Sequence, residues 1–138
     1  MAPVFSGIRL SRVLTAGAVA FSTSMALVIL VIFVYAFMLG FRVRGQPNQA
    51  DIQRFAVAVA PWLGNILASI LSACAGAWVA IRVPERQALH GVLVGVVVAM
   101  GFLAIEFSQG MGLVDVAKVM PLVGAAWLGS VVAARLHT

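Results

Sequence analysis

Val13-Leu14-Thr15-Ala16-Gly17 opens a stretch that runs through Val28-Ile29-Leu30-Val31-Ile32-Phe33-Val34-Tyr35 to Phe41 without one charged side chain. A membrane helix needs about 20 largely apolar residues, each rising about 1.5 Å, so residues 13–41 suffice to cross a bilayer with length to spare. The same reading extends along the chain. No charge falls between Arg54 and Arg82, between Arg86 and Glu106, or between Lys118 and Arg135. Four spans follow, at about 13–41, 55–82, 88–107 and 116–136. The expected fold is therefore all-α, a polytopic membrane protein of four transmembrane helices arranged as two helical hairpins, with residues 1–138 forming a single integral membrane domain.

Composition agrees. Of 138 residues, 63% are hydrophobic and only 9% are charged, too few charges to cover a water-facing surface. The net charge of +5 belongs at the lipid interface, where Lys and Arg anchor helix ends, and short connections leave no domain for nucleic acid. A single cysteine, Cys74, excludes an internal disulfide and a CxxC redox or zinc site. Arg9 and Arg12 precede an apolar run, as in a secretory signal, but Ala18-Val19-Ala20 stands before most of that run, so an uncleaved first helix is expected.

The connections are punctuated by turn formers. Arg42 to Arg54 reads as a loop containing Gly45, Pro47 and Asn48, with Asn48 or Asp51 as a cap for a second helix over about 51–82. Pro61 is expected to kink that helix, or Trp62 to mark the interface. Val83 to Gln87 reads as a tight turn. Gly110 and Gly112 break the third helix, and a fourth begins near Val114, with Pro121 in its first two turns. Helix two ends Ala80-Ile81-Arg82-Val83 and helix four ends Ala133-Ala134-Arg135-Leu136, an echo that suggests two related hairpins.

Four spans put both termini on one side. Arg9, Arg12, Arg82, Arg86 and Arg135 then face Arg42, Arg44, Arg54 and Lys118 across the membrane, and the majority favours cytoplasmic termini.

The most regular pattern is in helix two, where Ala60, Gly64, Ala68, Ser72, Gly76 and Ala80 recur every four residues. Residues four apart form one ridge on a helix, and small ones let a second backbone approach closely. Gly91, Gly95 and Ala99 repeat the device in helix three. Helix four offers Ala125, Gly129 and Ala133, or Ala126, Ser130 and Ala134. Internal packing is the first reading of these ridges and an oligomer or partner surface the second.

Polar candidates are few. Asn65 is expected to hydrogen-bond across helices, with a solute contact alongside Ser69 and Ser72 as the alternative. Glu106 lies at the end of a span, and Asp115 and Lys118 can pair three residues apart. His90 and His137 lack nearby ligands for a metal site, and no serine stands in a nucleophile motif. No cofactor is implied.

Gly76-Ala77-Trp78-Val79-Ala80-Ile81-Arg82 and Leu89-His90-Gly91-Val92-Leu93-Val94-Gly95 resemble segments of small four-helix bacterial membrane proteins of unassigned function. The resemblance implies a bacterial inner-membrane location and no reaction. The expected function is a non-catalytic accessory or structural subunit, in contact with lipid and with other membrane subunits or with itself. The alternative is a small oligomeric transporter or channel. A membrane enzyme acting on lipid would instead need Glu106, Asp115 and Lys118 to converge.

Overall fold

The computed structural model describes residues 9–83, 85–108 and 116–136. Among them the chain forms four helices and no strand: α1 (Leu10–Val43), α2 (Gln49–Arg82), α3 (Gln87–Ser108) and α4 (Val116–Leu136). All four are long and apolar enough to cross a membrane, as a multi-pass membrane protein requires.

Local chemistry sets the boundaries. Asn48 has extended backbone geometry, and its side-chain oxygen accepts a hydrogen bond from the Ala50 N–H at 3.0 Å, closing the N-terminus of α2. Asp51 follows in the first turn, 3.7 Å from Arg54, where a carboxylate suits the positive end of the helix. The polar stretch expected as a loop from Arg42 to Arg54 is therefore mostly helix, and only residues 44–48 lie outside it. At the other side of this connection Arg44 adopts a left-handed conformation, φ 49°, and its N–H bonds the Gly40 carbonyl. Pro61 and Pro121 both lie inside helices.

α2 and α3 form the short diagonal of the bundle. α1 and α4 lie on opposite sides of it, each packed on both, and barely meet one another. Two apolar clusters fill the interior. Val13, Ala16, Val79, Val83 and Val94 gather where α1 begins and α2 ends. Ala20, Ala68, Val98, Ala99, Val119 and Leu122 continue the core, with Phe21 set edge-on to Phe102, ring centroids 5.3 Å apart.

The helices differ in length, and this shapes the molecule. At 34 residues each, α1 and α2 are about 51 Å long, whereas α3 with 22 residues is about 33 Å. Val28 of α1 and Phe102 of α3 both approach Gly64 of α2, so these positions share one level. Beyond it, the end of α1 and the start of α2 outrun α3 as a two-helix projection, joined by a stack of Tyr35 on Phe55 at 3.8 Å. Phe33, Phe37, Met38 and Phe41 are exposed on it.

Candidate functional site

Small residues bring α2 and α4 to backbone contact. A Cβ added at Gly76 would collide with the carbonyl of Ala126, and one added at Gly129 would collide with the carbonyl of Ala73. The two helices run parallel, and each contributes an Ala-x-x-Gly step, Ala73 to Gly76 and Ala126 to Gly129, to a single crossing. α3 closes on α4 in the same manner. Gly91 lies against Ser130, and Gly95 lies 2.6 Å, as measured from its hypothetical Cβ, from the Cα of Val123. Along α2, Gly64, Ala68, Ser72, Gly76 and Ala80 are buried, and Ala60 at the far end is half-buried. In α3, Gly91, Gly95 and Ala99 are buried. In α4 the buried line holds Ala126, Ser130 and Ala133, while Ala125, Gly129 and Ala134 are half-buried.

The buried polar side chains are Ser24, Ser72, His90 and Ser130. Ser24 and Ser130 donate to carbonyls of their own helices, Phe21 at 2.7 Å and Trp127 at 2.7 Å. Ser72 is different, since its hydroxyl is buried and has no hydrogen-bond partner among the described residues. A buried hydroxyl without a partner carries a desolvation cost, so Ser72→Ala is expected to leave stability unchanged or raise it by about 1 kcal/mol. Unfolding by sodium dodecyl sulfate from mild detergent, followed by circular dichroism, measures this. A loss of comparable size would show that the hydroxyl is bonded.

Asn65 is half-buried. Its backbone carbonyl accepts from the Ser69 hydroxyl at 2.7 Å, and its carboxamide makes no cross-helix hydrogen bond among the described residues. The Ser69 hydroxyl is thus committed to its own helix, and the side chains of Asn65, Ser69 and Ser72 share no hydrogen bond with one another among the described residues. Glu106 is half-buried, with Oε2 buried and without a hydrogen-bond partner among the described residues. Lys118 is exposed in the first turns of α4, and Asp115 lies outside the described residues. His137 also lies outside them. No group of three His, Cys, Asp or Glu side chains that could hold a metal gathers among the described residues.

Polar contacts between helices gather instead at the end where α1 and α3 begin and α2 finishes. Arg12 Nη1 donates to the Arg82 carbonyl at 2.9 Å, and Gln87 Nε2 donates to the Ala80 carbonyl at 3.2 Å. Both serve carbonyls that the last turn of α2 leaves without an intrahelical partner. His90, fully buried, completes the set. Its Nε2 accepts from the Arg9 backbone N–H at 3.3 Å, which leaves Nδ1 to donate to the Arg86 carbonyl at 3.1 Å. In the sequence His90 stands only as a histidine without the neighbours a metal site needs and within the His90-Gly91 segment of the resemblance. Its partners are backbone groups, which no side-chain motif announces.

The arrangement joins helices and offers no nucleophile paired with a base among the described residues. A search of protein families, curated proteins and solved structures finds no match to this chain.

Proposed function

We propose that this chain is a non-catalytic integral membrane protein, an accessory or structural subunit of a larger membrane complex in the inner membrane of a bacterium, with both termini cytoplasmic. The observation that carries this reading is the two-helix projection. Small-residue faces of α2, α3 and α4 are already occupied by one another. The bulky surface of α1 is not, and Phe33, Phe37, Met38 and Phe41 stand exposed, from 62% to 79% for the two phenylalanines nearest the tip. Aromatic and methionine side chains are the types that supply contact area between proteins. No charged side chain falls between Arg12 and Arg42, Arg54 and Arg82, Arg86 and Glu106, or Lys118 and Arg135, which favours packing over ion-coupled transport.

The test is isolation from native membranes in mild detergent, with Phe37→Ala/Phe41→Ala as the comparison. The expected result is co-migration with other membrane chains at fixed stoichiometry, lost in the double variant while helix content is kept. Either phenylalanine placed at an interface centre contributes on the order of 1–2 kcal/mol, so the loss should be tenfold or more in affinity, about the effect of a single hot-spot truncation. A lone monomer overturns the proposal, and a homo-oligomer with a water-filled centre replaces it with the transporter reading.

A further inference from the structure

The first half of α1 and the last half of α2 leave a groove of about 360 Å³ between them, lined by Ala16, Ala20, Leu71, Cys74, Ala75 and Trp78 among others. It is almost wholly apolar, and its recess comes from the alanines. One end is different. Arg82 lies over the Trp78 ring, its guanidinium carbon 4.7 Å from the ring centroid, and Arg12 reaches the Arg82 carbonyl from α1. Neither guanidinium meets a carboxylate among the described residues, and the Arg82 side chain is exposed. An apolar groove along two candidate spans thus ends in two cations beside a tryptophan, the residue that marks the headgroup level of a bilayer.

We propose that this groove binds one anionic phospholipid, with an acyl chain along the alanine recess and the headgroup phosphate at Arg12 and Arg82. Guanidinium matches phosphate geometrically and is weakly hydrated, so it pairs well at this depth. A second protein helix is the poorer occupant. It would have to cover both arginines and supply acids to them, whereas a lipid delivers its negative charge at the level where they stand. The site is independent of the projecting surface at the opposite end of α1 and stands whether or not that surface has a partner.

Trp78 reports on the groove directly. In the full chain carrying Trp62→Phe and Trp127→Phe, reconstituted in vesicles, quenching of Trp78 by phosphatidylglycerol with brominated acyl chains is compared with quenching by equally brominated phosphatidylcholine. Half-maximal quenching is expected at a mole fraction about fivefold or more lower for the anionic lipid, the preference a single interfacial arginine can supply. Arg12→Gln/Arg82→Gln should bring the two lipids to the same mole fraction. Ala75→Phe fills the recess while leaving both arginines in place, and should also abolish the preference. Equal quenching by both lipids in the parent overturns the proposal, because the groove then holds only bulk lipid. So does absence of quenching by either, which would mean a protein covers the groove. If the arginine variant fails to fold by circular dichroism, Ala75→Phe decides: a retained preference overturns the site.

Discussion

Gly76→Ala and Gly129→Ala are each expected to destabilise the folded bundle by about 1–2 kcal/mol, and the double variant by clearly less than their sum. The reasoning rests on what a methyl group would meet. At Gly76 it would overlap the Ala126 carbonyl, and at Gly129 the Ala73 carbonyl, both backbone atoms of the facing helix. Backbone cannot rotate away as a side-chain tip can, so the helices must separate, and overpacking of this kind costs about 1–3 kcal/mol. Alanine gains up to about 1 kcal/mol in helix propensity over glycine, which offsets part of the loss. Both substitutions force apart the same crossing, so once one has done so the second finds room, and the pair couples.

The internal control is Gly124, also in α4. Nothing lies within 4 Å of a Cβ built there, so Gly124→Ala should gain stability by up to about 1 kcal/mol through propensity alone. Detergent unfolding curves for the parent and the four variants separate the cases. If Gly76→Ala and Gly124→Ala behave alike, the α2–α4 contact is looser than the structure has it.

The same crossing indicates how far sequence reasoning reaches in a membrane protein. Intervals free of charge mark the four helices because lipid admits few alternatives: a charged side chain inside a span is costly, and every backbone group there must be satisfied within the segment. The four-residue spacing in α2 was visible because close approach of backbones has a compositional requirement, and the buried residues Gly64, Ala68, Ser72, Gly76 and Ala80 follow that spacing. Which helix lies opposite was not visible, since α3 and α4 carry equivalent ridges. Asn48 and Asp51 both read as caps in the sequence, and the structure selects Asn48, so the polar residues from Gln49 to Arg54 that resemble a loop are helical. The groove at Trp78 depends on the register of α1 against α2, and register has no local signature here. Asn65 was expected to bond across the bundle on polarity alone, yet its position on α2 leaves it half-buried beside Ser69.

His90→Leu should be the most disruptive substitution among the polar residues, with a loss of about 1–2 kcal/mol. Leucine keeps most of the volume, so the effect isolates hydrogen bonding. The imidazole joins the N-terminal flank of α1, through the Arg9 N–H, to the first turn of α3, through the Arg86 carbonyl, and it is fully buried. Its removal leaves the Arg9 N–H without this partner, and because that bond is part-buried and Arg9 itself is exposed, the cost sits at the low end of the roughly 1–3 kcal/mol of a stranded donor. The Arg86 carbonyl suffers less, because it also accepts from the backbone N–H groups of Leu89 and His90. The damage should therefore be polarised toward α1. Amide hydrogen exchange is expected to accelerate at Arg12 and Val13, whose N–H groups bond the Arg9 carbonyl, by tenfold or more, the consequence of about 1.4 kcal/mol of local destabilisation, while Val94 to Ala99 of α3 change little. His90→Asn provides the complement: its side chain offers both an acceptor and a donor on a shorter reach, and it should recover part of the loss only if bonding is the cause. Uniform acceleration across α1 and α3, or equal behaviour of the leucine and asparagine variants, would instead assign His90 a purely space-filling part in the bundle.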